Sequence, residues 1–168
     1  MRVLLPLLLG LLACRPAGAD GCQPEPGAAV RALNALRAQG RACGERVWPA
    51  APALRWQAVL ADSARRYALE LSVHDRFDHI GAGGKTLRTR LRESGYFMRV
   101  AGENLAGGPE VLEEALAQWL DSPTHCENLM AADFQEFGLA CVNGTGLMQR
   151  YWVLHLATGA PAKSSPDR

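Results

Sequence analysis

Four cysteines that follow a short apolar N-terminal run constrain the fold of this chain more than any other feature. They are Cys22, Cys43, Cys126 and Cys141, an even set of the kind found in proteins that fold in an oxidising compartment. Four cysteines allow three pairings. Short loops favour Cys22–Cys43 and Cys126–Cys141, and each bond would contribute about 2–4 kcal/mol. We therefore expect one bond to tie the N-terminus to the first helix and the other to join a helix to a strand.

The N-terminal segment has the features of an export signal. Residues 3–13 are mostly apolar but too few to span a bilayer. Two processing routes fit. Cleavage after the A-x-A pattern at 17–19 would start the mature chain at Asp20, and we favour this route. Alternatively, residues 11–14 resemble a lipobox, and Cys14 would become a lipidated first residue. Either route predicts a secreted or periplasmic protein, and the second adds a lipid anchor to a bacterial membrane.

The remaining length and charge predict a single globular domain. We divide the 168 residues into a signal peptide at 1–19, a linker at 20–27, a domain at 28–158 and a flexible tail at 159–168. The formal net charge is only +1, and acidic and basic residues are interspersed along the chain. This pattern argues against a nucleic-acid-binding surface. The sequence carries no further apolar run for a membrane span, and we expect a monomer.

The segment at 122–130 is the first candidate for a functional site. Ser122 is expected to cap a helix with its side chain, and Pro123 suits the first helical position. His125 would then lie in the first turn, where the helix dipole favours a neutral ring that can accept a proton or bind a cation. The alternative is that His125 only packs or caps. Cys126 would point to a different face.

A second histidine and a glutamate are the other candidates. His79, between Phe77 and Ile80, is placed to turn inward from a loop, whereas His74 is expected in solvent at the end of a helix. Glu103 lies in a glycine-bracketed stretch that reads as a tight loop. It is either a buried, hydrogen-bonded brace or a general base.

The hydrophobic pattern predicts alternating helices and a final hairpin. His155 is interpreted as an ordinary strand residue, and Trp56 and Tyr67 as core anchors. The predicted helices cover about 30–36, 54–71, 87–95, 111–119 and 122–130, and the predicted strands cover 134–142 and 151–157 around a turn at 143–146.

Six motifs in a fixed order give the chain a family resemblance. It resembles a bacterial-type member of the CAP superfamily, also called the SCP or TAPS domain, which includes cysteine-rich secretory proteins, plant pathogenesis-related proteins and insect venom antigens. The resemblance covers almost the whole predicted domain. The matching segments are 54–56, 77–81, 102–106, 119–129, 136–138 and 151–152.

The resemblance implies both a fold and a cleft. The fold would be α+β, a three-layer α-β-α sandwich around a central, mostly antiparallel sheet. The cleft of the family is lined by two histidines and two acidic residues, and in some members it binds a divalent cation such as zinc. By resemblance, His79, Glu103 and His125 take three of these places, with the histidines as metal ligands. Asp121 and Glu136 are alternatives for the fourth.

Three functions follow as hypotheses. The first, which we favour, is a binding module whose cleft holds a divalent cation, a small apolar or lipid ligand, or a cell-envelope component. The second is a hydrolase in which Glu103 activates water against a peptide or ester bond with help from the histidines. The chain has no G-x-S-x-G nucleophile motif. The third is a polar cluster that only braces the fold.

Overall fold

The computed structural model describes residues 21–161, so the predicted export signal, Cys14 and the end of the predicted tail lie outside the described residues. Within them, no helix combines the length and apolar character needed to cross a membrane. The helices are α1 (Pro26–Arg37), α2 (Ala58–His74), α3 (Leu87–Glu93), α4 (Leu112–Asp121) and α5 (Pro123–Met130). The strands are β1 (Arg41–Cys43), β2 (Arg46–Trp48), β3 (Arg55–Trp56), β4 (Met98–Gly107), β5 (Glu136–Asn143) and β6 (Arg150–Gly159).

A four-stranded sheet forms the middle of the molecule. Its strand order is β3-β5-β6-β4, with β3 parallel to β5 and the other neighbours antiparallel. The short strands β1 and β2 form a separate antiparallel hairpin. The predicted hairpin near the C-terminus is confirmed as the β5–β6 pair.

The two faces of the sheet are covered by different helices. Along β6, Leu154 and Leu156 pack in a cluster that includes residues of α1, α4 and α5. Val153 and Ala157, which alternate with them, pack in clusters with residues of α2 and α3. The expected α+β, three-layer architecture is confirmed.

A glycine allows α2 to lie directly on the sheet. A Cβ at Gly138 in β5 would lie 2.0 Å from the backbone nitrogen of Ala61 and 2.2 Å from the carbonyl carbon of Leu60. Any side chain at this position would push α2 away from the sheet. The residues that flank α2 also bond to the central strands: the Gln57 amide donates to the Phe137 carbonyl, and the Tyr151 hydroxyl donates to Asp75.

The long predicted helix begins later than the sequence suggests. Arg55 and Trp56 form β3, and the helix begins at Ala58 after Gln57, whose side chain accepts a hydrogen bond from an amide of the first turn. Residue 55 donates its amide to the carbonyl of Gln135 at 2.9 Å. This pairing with a distant strand overrides the local helical pattern. Trp56 is partly buried, and its ring meets that of Phe137 edge-on at 5.4 Å.

The two disulfides are present, but their predicted pairing is wrong. The bonds are Cys22–Cys141 and Cys43–Cys126, with Cα–Cα distances of 5.6 and 5.4 Å. The predicted Cys22–Cys43 and Cys126–Cys141 bonds followed short loops, whereas the fold brings together distant segments. The N-terminal segment lies along β5, where the Gln23 side chain accepts a hydrogen bond from the Cys141 amide at 2.8 Å. The β1–β2 hairpin packs against α5.

Candidate functional site

The candidate site is built around β4, which is an edge strand of the sheet. Glu103 was expected in a tight loop, but it lies within β4 because that strand pairs with β6 along its length. Successive side chains of a strand point to opposite faces. Glu103 therefore points towards α2 and α3, whereas Asn104 points towards α5.

Glu103 is a buried carboxylate with three hydrogen-bonding partners. It is only 7% exposed. Its Oε2 atom lies 2.6 Å from Arg90 Nη2 and 2.9 Å from His155 Nε2, and its Oε1 atom lies 2.8 Å from His79 Nδ1. Burial alone would raise the pKa of Glu103, but the hydrogen bonds from both histidines and the charge of Arg90 outweigh it and lower the pKa to about 2. Glu103 is therefore ionised at neutral pH.

His79 is held by this carboxylate at the surface. It follows α2 in a loop, and its side chain is 55% exposed. Its backbone carbonyl accepts a hydrogen bond from Arg90 Nη1 at 3.2 Å. The hydrogen bond to Glu103 raises the pKa of His79, and partial burial opposes that rise. Because the carboxylate is ionised, His79 donates its Nδ1 proton to it and leaves Nε2 for another partner.

His125 is held by its backbone. Helix α5 begins at Pro123 as predicted, but Ser122 makes no side-chain capping bond. Ser122 is also the last residue of the turn that closes α4, where its amide donates to the carbonyl of Trp119. On the far face of β4, Asn104 Nδ2 donates to the His125 carbonyl at 2.9 Å. Burial, followed by the charge of nearby His79, lowers the pKa of His125.

The two histidines therefore approach each other from opposite faces of one edge strand. Their ring centroids are 6.3 Å apart and the rings are tilted by 52°. Gly102 allows α5 to come this close, because a Cβ there would lie 2.9 Å from Phe134 and 3.1 Å from Asn128 Oδ1. Asn128 also donates to the side chain of Asn104 at 2.9 Å. Tight packing at the strand edge thus brings the rings together.

The donor set fits a loosely held cation better than a permanent metal centre. No group of three or more histidine, cysteine, aspartate or glutamate side chains in the described part of the chain could hold a metal ion. Two imidazoles remain as donors, and Glu103 orients one of them as a carboxylate does in many zinc sites. Around a tetrahedral zinc ion with zinc–nitrogen bonds of about 2.1 Å, two ligating rings have their centroids about 5.3 Å apart. The observed separation of 6.3 Å is larger, so the two rings would have to approach each other to share one ion.

The candidates for the fourth place are not bonded to the histidines. Glu136 accepts hydrogen bonds from the Tyr96 hydroxyl at 2.7 Å and from Arg55 Nη2 at 3.4 Å. Asp121 is exposed at the end of α4. Among the described residues, neither acid has a hydrogen bond or ion pair with His79 or His125.

Two residues that sequence reasoning did not select complete the cluster. His155 is fully buried beside Glu103, and burial lowers its pKa. No partner within residues 21–161 meets hydrogen-bond geometry at its Nδ1 atom. Arg90, 7% exposed, forms the ion pair with Glu103. The pairing register of the two strands would have identified His155, because Glu103 and His155 are direct partners across β4 and β6.

Comparison with known proteins agrees with this architecture. The model of the cysteine-rich secretory protein family, CAP, matches residues 30–156. An uncharacterised protein of Bacillus subtilis, YkwD, is 24% identical over 95 residues, which cover 56% of this chain and 37% of YkwD.

Solved structures show the same fold. An extracellular protein with an SCP domain from Bacillus anthracis is 26% identical with a TM-score of 0.57, covering 64% of this chain and 34% of that one. An outer surface protein of Borrelia burgdorferi is 20% identical with a TM-score of 0.64, covering 83% of this chain and 99% of that one. The chain thus spans little more than a third of the two Bacillus proteins. With most of its described residues matched by the family model, the chain belongs to the cysteine-rich secretory protein family.

Proposed function

We propose that this chain is a secreted or envelope-attached binding module whose paired histidines, His79 and His125, hold a divalent cation such as zinc. The observation that carries the proposal is the hydrogen bond of 2.8 Å from His79 Nδ1 to buried Glu103, with the His125 ring 6.3 Å from that of His79. A bound zinc ion would supply a Lewis acid at the surface of the module.

Export is supported by three independent features. The first residues have the pattern of a signal peptide, and the two disulfides suit an oxidising compartment. The Bacillus anthracis relative is described as extracellular. Lipid anchoring through Cys14 remains a prediction.

The surroundings of the two rings affect their ability to bind a cation in different ways. Glu103 fixes the tautomer of His79 and makes its free nitrogen more basic. It also raises the pKa of His79, so protons compete with the cation as the pH falls. The pKa of His125 is lowered, and its ring stays neutral and able to ligate at lower pH.

The structure favours Glu103 as a brace over Glu103 as a general base. A base with a pKa of about 2 has little tendency to take a proton from water at neutral pH. Both oxygens of the carboxylate are already hydrogen-bonded. Glu103 therefore positions His79 in our proposal, and hydrolysis through Glu103 is the less favoured hypothesis.

The loop around His79 also offers apolar surface. Phe77 and Ile80, on either side of His79, are 45% and 44% exposed. Exposed side chains of this kind could contact the apolar part of a small or lipid ligand beside the cation.

Calorimetric titration of zinc into chelator-stripped mature protein tests the proposal. We expect micromolar binding to the native chain and loss of binding in both His79→Ala and His125→Ala. His74→Ala is the matched control, because His74 is exposed at the end of α2. Binding that is absent, or unchanged in the first two variants, would leave the cluster as a structural brace.

A further inference from the structure

The outer side of α3 carries two exposed arginines. The helix packs on the rest of the molecule through Leu91, which is fully buried, and through Leu87, which is partly buried. Arg88 and Arg92 lie one turn apart on the same helix, and both are exposed. Within residues 21–161, neither side chain has a hydrogen bond or an ion pair. This side of α3 therefore carries two positive charges that the described residues do not neutralise.

The residues that follow α3 place apolar groups beside these charges. Phe97 is 69% exposed, although it lies directly before β4. Tyr96, Phe97 and Met98 line one groove together with Arg88 and Arg92. The groove has a volume of about 270 Å³, and none of the described residues that line it carries a carboxylate. Positive charge and an exposed aromatic ring thus share one continuous surface.

The backbone holds Phe97 firmly at this surface. Helix α3 is followed by a left-handed Gly95, and the Tyr96 amide donates back to the Leu91 carbonyl at 2.9 Å. The Phe97 carbonyl accepts a hydrogen bond from the Ala160 amide at 2.7 Å. The exposed ring is therefore carried by a fixed backbone, which reduces the entropy lost when the surface binds a partner.

A third arginine extends the positive charge into β4. Arg99 is exposed and lies at the bulge between Met98 and Val100, where the pairing with β6 shifts. Its side chain also has no hydrogen bond or ion pair within the part of the chain that the structure describes. Glu93, the acidic residue of α3, is already paired with Lys85 at 2.9 Å. The three arginines are therefore available to an anionic partner.

We propose that these three arginines and Phe97, together called the α3 surface, attach the protein to an anionic phospholipid membrane. The charges are complementary, because a bilayer that contains anionic lipid attracts each nearby arginine and raises the affinity by about fivefold. The Phe97 ring would lie among the headgroups, where it loses contact with water, and the arginine side chains would extend to the phosphates. An exposed ring beside the charges gives no advantage in binding a soluble ion, so the combination favours a membrane.

Membrane attachment through the α3 surface does not depend on the proposed cation site. Neither His79 nor His125 lines the groove. The attachment requires no lipid at Cys14, and three arginines with one ring give reversible rather than permanent binding. It would hold an exported module and its histidine pair close to the cell envelope.

Sedimentation with lipid vesicles tests the inference on the unlipidated mature protein. We expect binding to vesicles of equal parts phosphatidylcholine and phosphatidylglycerol, and no measurable binding to vesicles of phosphatidylcholine alone. Replacing Arg88 and Arg92 together with glutamine should lower the partition coefficient about thirtyfold, from about fivefold for each charge. Phe97→Ala should lower it about tenfold, because the ring no longer enters the interface.

Two matched variants separate the α3 surface from net charge and from exposed apolar surface in general. Arg31→Gln combined with Arg65→Gln removes the same charge from exposed positions on α1 and α2. Val73→Ala removes an apolar side chain that is also 69% exposed. Both variants should bind anionic vesicles within about twofold of the native chain, because charges farther from the membrane are screened by salt. All variants should keep a melting temperature near the native value, since every replaced side chain is exposed.

Three vesicle results would overturn the inference: equal binding to neutral vesicles, no binding to anionic vesicles, or equal losses in the α3-surface variants and the control variants. Displacement of the bound protein by inorganic phosphate at constant ionic strength would also overturn it, since that result indicates a site for a soluble anion. The zinc titration uses no vesicles, so the cation site and the α3 surface can fail separately.

Discussion

His79 and His125 lie beside each other but are held in place by different contacts. His79 lies on a loop, and its side chain is fixed by a buried carboxylate. His125 lies in the first turn of α5, where its backbone carbonyl is fixed by Asn104 and the next residue, Cys126, is bonded covalently to Cys43. The His79 ring is thus positioned by a charged side chain, whereas His125 is positioned through its backbone.

This difference explains why the two pKa values move apart. The partner that holds His79 is an anion, so it raises the pKa of that ring. Burial and the charge of His79 lower the pKa of His125. A pair built in this way has one ring that gains a proton easily and one that stays neutral, which is a common arrangement in functional clefts. The predictions below test each anchor separately.

Removing the charge of Glu103 should have the largest effect. Glu103→Gln leaves Arg90 buried without its counter-ion, and we expect a loss of about 3–5 kcal/mol in the free energy of unfolding. Chemical denaturation measures it. Glu136→Gln is the control: its cationic partner, Arg55, is 73% exposed, so the loss from that ion pair should stay below about 1 kcal/mol. Equal losses in the two variants would show that Glu103 is not the central anchor.

Removing each disulfide in turn should show which bond supports only the stability of the fold and which also supports zinc binding. Replacing Cys43 and Cys126 with alanine should cost about 2–5 kcal/mol and also weaken zinc binding, because the bond holds the turn that carries His125. Replacing Cys22 and Cys141 should cost a similar amount and leave zinc affinity unchanged. Thermal unfolding and calorimetry check the pair. Unchanged zinc affinity in the first variant would contradict backbone anchoring of His125.

A smaller effect is expected at Asn104. This fully buried side chain bonds to the His125 carbonyl and to Asn128, so Asn104→Ala should cost about 1–3 kcal/mol. It should move the amide signals of α5 while leaving the His79 ring signals in place. Movement of the His79 ring by the same amount would mean that the two anchors are not independent.

The smallest expected difference is between the pKa values of the two rings. We expect His79 to titrate above 6.5 and His125 below it in ring-proton spectra recorded against pH. The raised pKa of His79 adds stability at low pH that is lost as the pH rises through its folded value. The lowered pKa of His125 adds stability above its unfolded value that is lost as the pH falls. The reverse order would contradict the contrast between the anchors.

The local parts of this fold could be read from the sequence. The helix at Leu87–Glu93, the start of α5 at Pro123 and the β5–β6 hairpin depend on periodicity and on turn and capping residues near in the chain. The resemblance to CAP proteins selected His79, Glu103 and His125, which the structure brings together.

Apart from the missing side-chain cap at Ser122, the errors and omissions involve contacts between distant segments. The cysteines pair across 119 and 83 residues rather than within short loops. Strand β3 forms only because β5 is beside it. His155 looks like any strand residue until β6 is aligned with β4, and Arg90 lies 13 residues before its partner Glu103. Local patterns carry no information about such pairings.

The most direct measurement of the central claim is the ring ¹⁵N spectrum of all four histidines during zinc addition. We predict that zinc shifts the ring nitrogens of both His79 and His125 and leaves those of His74 and His155 in place. A shift of only one of the first two rings, or of neither, would contradict the claim that they share one cation.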